Sequence, residues 1–272
     1  MEIPIPDSID LFHPERYNFV LRVHPAQFSF AVYETGNEDP FFYYVLPTTR
    51  SSDVFSNFKQ AFFDNAFFAA TFKKTYIINC ADKFTFVPDL LYDDASQLQL
   101  MQFNHEHTDE QLLAQTLQHP EIVVLHQMPK DIYQFINRSF VNPQFIHHLA
   151  PLIHFFQEKS RLSEVFRLVV NLYENDLDLL CFSHGTLILG NHFKVSRVQE
   201  ALYYVLFVWK QLKMDQSKDL LYCCGTHALR SELLQGLEPF IRIIVPMDPV
   251  IHTAFSGKDI PFELLSLFVC GL

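Results

Sequence analysis

The sequence predicts an α/β fold in which one unit, strand–strand–strand–helix–strand, occurs twice along the chain. Short apolar or alternating runs bounded by turn residues recur ahead of longer helical stripes. Landmarks in the two halves also fall at nearly one offset, Val20 with Val169 and Gly36 with Gly185 at 149 residues and Cys80 with Cys224 at 144. Composition adds a third observation. The 272 residues are 49% hydrophobic and 19% charged, which suffices for a packed core and excludes a disordered chain.

In the first half, Phe19 to Val23 and Phe28 to Tyr33 read as strands separated by His24-Pro25-Ala26. Phe41 to Leu46 follows the turn-rich Glu34-Thr35-Gly36-Asn37. Ser51, Ser52 or Asp53 then caps a helix whose Val54, Phe55, Phe58, Ala61 and Phe62 share one face. Thr75 to Cys80 closes the unit as a short strand. A polar stretch from Gln97 to Gln118 leads to a strand, Glu121 to His126. A helix from Pro129 through Phe140 follows, with proline in its first turn, then a short strand Phe145 to His147 and a helix from Leu149 to Arg161.

The second half repeats the order. Val165 to Tyr173 and Leu177 to Phe182 are strands, and Leu187 to Leu189 begins a third after the turn Ser183-His184-Gly185. Ser196 is placed to cap a helix through Val198, Ala201, Leu202, Val205 and Val208, and Leu220 to Cys224 is the next strand. No Ser/Gly-rich linker divides the halves, so the expected domains are 1–160 and 161–272.

The formal charge of −11 argues against a general nucleic-acid binder, which needs Lys and Arg to displace phosphate counterions. Seven glycines are few for a chain of this length, and glycine is what phosphate-cradling loops depend on. The N-terminus Met1-Glu2-Ile3-Pro4-Ile5-Pro6-Asp7 lacks the basic and apolar regions of a signal peptide. The longest plainly apolar run, Ala201 to Trp209, is nine residues, whereas a bilayer span needs about 20. Five cysteines at irregular spacing read as free thiols in a reducing compartment. The expectation is a soluble cytoplasmic protein with no membrane span.

Leu220-Leu221-Tyr222-Cys223-Cys224-Gly225-Thr226-His227-Ala228 is an apolar strand ending at a glycine and opening a helix. It continues through Gly236-Leu237 and Ile241 to Val245 into Met247-Asp248-Pro249. This run, and the duplicated order as a whole, resembles the actin-like ATPase superfamily. That superfamily includes sugar kinases, chaperone ATPases and pilus-assembly and septal actin homologues. As a whole the chain resembles a bacterial family of unknown function with that fold. The resemblance implies duplicated actin-like (ribonuclease H-like) lobes, each a mixed five-stranded sheet with flanking helices. It further implies Mg-ATP in the inter-lobe cleft, held by Glu174, Asn175, Asp176, Gly225, Thr226 and His227.

The departures from the pattern decide the functional expectation. Active members hold phosphates with two hairpin turns that each carry an Asp and a Gly. Here the first turn, Val23-His24-Pro25-Ala26-Gln27, has neither, and Pro25 removes a backbone donor. The second, Tyr173-Glu174-Asn175-Asp176-Leu177, has acids but no glycine. The expectation is therefore a non-catalytic actin-like protein acting as an interaction or assembly component, with no catalytic or metal-ligating residues assigned. The alternative is an active ATPase or kinase-like enzyme using Glu174 or Asp176 on Mg²⁺.

Other constellations have structural readings. His105-Glu106-His107 lacks a third convergent ligand, and His147-His148 with His154 carries no accompanying metal motif. Ser183-His184-Gly185-Thr186 reads as a hairpin turn and not as a nucleophile. Cys223-Cys224, at a strand end, reads as buried thiols, with a reactive thiol as the alternative. The phenylalanines from Phe55 to Phe72 exceed one helix face. Either the helix packs between layers, or Phe55, Phe63, Phe67 and Phe68 form a surface for a protein partner or a second copy.

Overall fold

The computed structural model describes residues 2–35, 41–47, 53–106, 109–117, 121–162, 164–225, 228–247 and 260–270. The chain divides into two compact units that part between His148 and Leu149.

In the first unit, β1 (Tyr17–His24), β2 (Gln27–Glu34), β3 (Phe41–Val45), β4 (Lys74–Asn79) and β8 (Gln144–His147) form one sheet in the order β3-β2-β1-β4-β8. The hairpin strands β1, β2 and β3 pair antiparallel, while β1, β4 and β8 run parallel. Two helices, α1 (Val54–Asp64) and α3 (Lys130–Ser139), contribute to the core on one face of this sheet. Asp53, one of the three expected caps, caps α1, its carboxylate accepting the Ser56 N–H at 3.2 Å, while Ser51 and Ser52 lie outside the described residues. Most of the Phe-rich composition is explained here. The Phe19 ring lies 5.8 Å from Phe30, 5.0 Å from Phe72 and 5.4 Å from Phe140, and Phe28 stacks on Phe58 at 4.7 Å.

A three-stranded sheet is inserted between β4 and α3. It comprises β5 (Phe84–Pro88), β6 (Gln111–Leu117) and β7 (Ile122–Met128) in the order β5-β7-β6, with α2 (Gln97–Asn104) against it. The stretch from Gln97 to Gln118, expected to be merely polar, thus holds a helix and a strand. Its apolar pattern is weak because the satellite core is small, with Met101 buried among Val87, Val123 and Leu125.

The second unit holds β9 (Arg167–Tyr173), β10 (Asp176–Ser183), β11 (Thr186–Lys194), β12 (Leu220–Gly225) and β13 (Ile243–Pro246), in the order β11-β10-β9-β12-β13. This matches the first sheet strand for strand. Val20 pairs with Ala31 and Tyr76, and Val169 pairs with Leu180 and Tyr222. The fourth strands therefore correspond at an offset of 146, and Cys80 lies beyond the end of β4, so the expected Cys80–Cys224 equivalence is two residues out. Gly36 lies outside the described residues.

On one face of the second sheet α5 (Val198–Gln211) and α6 (Arg230–Leu237) complete a core with Leu168, Val170, Leu177 and Leu179. Ser196, the expected cap of α5, precedes the N-cap Arg197. Its N–H and hydroxyl both donate to Glu200, at 2.8 and 3.2 Å. The helix α4 (Leu149–Ser160) packs with α7 (Phe262–Val269), the Phe156 ring lying 5.8 Å from Phe262 and 5.3 Å from Tyr222. These contacts place α4 in the second unit, so the division falls earlier than the expected boundary at 160. No described helix is long and apolar enough to cross a membrane.

Candidate functional site

The two hairpin turns that correspond to the phosphate-binding turns of the resemblance lie at the carboxyl ends of β1 and β9. Pro25-Ala26 joins β1 to β2, with His24 paired to Gln27. Pro25 has no N–H, and Ala26 donates its own to His24 Nδ1 at 3.1 Å. The loop's one remaining donor is therefore engaged within the turn.

Glu174-Asn175 joins β9 to β10, with Tyr173 paired to Asp176. Glu174 takes a left-handed backbone, φ +53°, at a position that usually favours Gly or Asn. The Asn175 carbonyl accepts the Val195 N–H at 2.8 Å. Asp176 is buried and lies 2.5 Å from the Lys194 ammonium and 3.4 Å from His192 Nε2. Asp178, also buried, accepts from His192 Nδ1 at 2.8 Å and from the Asn171 amide at 3.0 Å. Asp176 and Asp178 are thus built into a polar network across three strands. Asn171, Asp178, His192 and Lys194 had not been singled out from the sequence. The signal was faint, since the network follows from cross-strand register and from no local motif.

Gly225 ends β12 at φ +97°, and a Cβ there would stand 1.8 Å from the Leu172 carbonyl oxygen. Close approach of β12 to β9 therefore requires this glycine whatever else it does. Thr226 and His227, the other residues expected beside the adenosine, lie outside the described residues. The Arg230 guanidinium donates to the carbonyls of Cys223 and Gly225 at 3.1 and 3.3 Å, tying the start of α6 to the end of β12.

Beside the first turn lies a cavity of about 340 Å³. Its lining includes His24, Phe28, Asp53, Phe55, Lys83, Glu110 and Ile132.

The remaining constellations resolve structurally. Of the four rings expected at a partner surface, Phe55, Phe67 and Phe68 are buried, Phe68 completely at 0% exposure, and only Phe63 faces solvent at 74%. Phe67 and Phe68 lie in a 3₁₀ turn, Ala66–Ala69, that folds back under the sheet core after α1 ends. Cys223 and Cys224 are buried, the Cys224 thiol donates to the Val170 carbonyl at 3.3 Å, and burial pushes that thiol well above its ordinary range. Ser183-His184-Gly185-Thr186 is the expected hairpin turn, with Ser183 Oγ 3.0 Å from His184 Nδ1 at an exposed tip where His184 and Gly185 take φ +52° and +74°. His105 Nε2 meets the Phe84 carbonyl at 2.8 Å, and the buried His147 Nε2 lies 3.3 Å from the Ala81 carbonyl. His107 lies outside the described residues.

This geometry sits within a fold seen elsewhere. A Bacteroides thetaiotaomicron protein with an actin-like ATPase fold and unknown function is 26% identical, with a TM-score of 0.83 over 96% of this chain and 99% of that one. The PilM–PilN type IV pilus biogenesis complex provides a second neighbour, 11% identical, with a TM-score of 0.62 over 95% of this chain and 99% of that one. No curated protein matches the chain in sequence. The fold is that of the actin-like ATPases, and residues 6–244 match the family described as "Protein of unknown function (DUF3822)", to which this chain belongs.

Proposed function

We propose that this chain is a non-catalytic actin-like protein of the cytoplasm that acts as an interaction or assembly component. The observation that carries the proposal is the state of the two hairpin turns. Phosphate binding there needs outward backbone N–H groups and carboxylates available to order Mg²⁺. The first turn has one N–H, which His24 takes, and in the second Asp176 is drawn into contacts with His192 and Lys194. Five free cysteines support a reducing compartment. PilM, of similar fold, is seen in complex with PilN, which supports by analogy alone that this fold can serve protein assembly.

Thermal unfolding with and without Mg-ATP tests the reading. An unchanged melting temperature at millimolar nucleotide is the expected result, since a ligand that binds only the folded state raises it. A rise that Asp176→Ala abolishes would instead support an ATPase holding Mg²⁺ on that carboxylate.

A further inference from the structure

We infer that the cavity beside the β1–β2 turn docks a partner segment, one that inserts a bulky apolar side chain flanked by a lysine or arginine. This rests on the assembly role proposed above and names the chemistry of what is held. The cavity measures about 340 Å³, at the lower end of the roughly 300–1,000 Å³ range of ligand pockets. It therefore takes an anchor of one or two side chains. It opens at the carboxyl ends of parallel strands β1 and β4, a common place for ligands in α/β sheets.

Phe28, Phe55 and Ile132 make an apolar wall, and the charged lining is Asp53, Asp82 and Glu110 against Lys83. Two helix N-termini reach the cavity, and each already carries a carboxylate. Asp53 accepts the Ser56 N–H at 3.2 Å, and Asp131, next to the cavity-lining Ile132, accepts the Ile132 N–H at 2.9 Å. Acids at these ends disfavour a phosphate where helix dipoles would otherwise attract one. An apolar wall under a net negative rim instead favours an apolar group beside a cation.

The test pans a phage-displayed library of random dodecapeptides on the full chain, then titrates the selected peptides by fluorescence anisotropy. Ile132→Glu fills and charges the wall, and the Asp82→Lys/Glu110→Lys double variant reverses the rim at positions outside the core. Enriched peptides should pair Leu, Ile or Phe with a neighbouring Lys or Arg. Their affinity should fall about tenfold or more on the double variant and weaken as salt rises from about 50 to about 300 mM. Absence of enrichment, enrichment of acidic or wholly apolar peptides, or unchanged affinity in both variants would overturn the inference. Mg-ATP binding would sink the non-catalytic reading on its own, so the two failures are distinguishable.

Discussion

Asp178 and His192 stand directly opposite one another on β10 and β11, with His192 Nδ1 2.8 Å from the Asp178 carboxylate and both side chains buried. The Asn171 amide holds the second carboxylate oxygen at 3.0 Å. Two residues along, Asp176 meets Lys194 in the same way, but that lysine side chain is half in solvent at 50% exposure. Breaking a buried charged contact by removing one partner typically destabilises by about 3–5 kcal/mol, whereas a partly exposed pair contributes about 0–1 kcal/mol. Asp178→Ala should therefore lower stability in urea titrations far more than Lys194→Ala. Equal losses would mean the Asp178–His192 contact is not holding the sheet.

Gly225→Ala should destabilise the chain with no nucleotide present. The added methyl would meet the Leu172 backbone, and the left-handed φ adds about 1–2 kcal/mol of strain by itself. Chemical denaturation of the variant checks this. A variant as stable as the parent would show that β12 can move away from β9, and would return Gly225 to the list of nucleotide contacts.

Phe68→Ala should remove about 3–5 kcal/mol, as for other fully buried aromatic rings. Phe63→Ser, at an exposed ring, should stay within about 0.5 kcal/mol. Paired melts of the two variants decide between core and surface. A Phe68 variant that stayed folded but lost a dimer or a partner would restore the surface reading for that turn.

Burial holds the His126 imidazole neutral, its pKa pushed down to about 3. The Asn79 amide donates to His126 Nδ1 at 2.8 Å and to the Gln127 carbonyl at 2.9 Å, so the ring proton belongs on Nε2. The unfolded chain takes up the second ring proton at higher pH than the folded one, so the neutral ring's contribution is complete above the ordinary value of 6.5 and is lost as pH falls towards 3. Between those limits each pH unit removes up to about 1.4 kcal/mol. Urea melts at pH 7 and pH 5 should show a larger acid loss for the parent than for His126→Leu. Equal losses would show that the ring protonates without unfolding the satellite sheet.

Much of this architecture was legible because apolar periodicity marked it. The runs around Phe19, Phe30, Val169 and Leu179 became the central strands, and the stripe through Val198, Ala201 and Val205 became α5. The satellite sheet was harder to see, since β6 is nowhere fully buried and α2 buries only Met101. The Asp178–His192 pair was hidden for a different reason. Counting back from the His184-Gly185 turn would set Asp178 opposite Asn191, but a bulge between Cys181 and Phe182 shifts the register by one residue. That single extra residue brings His192 and Lys194 opposite the two aspartates. Packing hid the role of Phe67 and Phe68, because no periodicity announces a 3₁₀ turn folding back into a core.

The central claim is that the two hairpin turns no longer cradle phosphate. Isothermal titration calorimetry of the full chain with Mg-ATP, with Mg-ADP and buffer controls, tests it most directly. The account predicts no binding heat up to millimolar nucleotide. Saturable binding in the micromolar range would contradict it and would make the chain a nucleotide-dependent switch or enzyme.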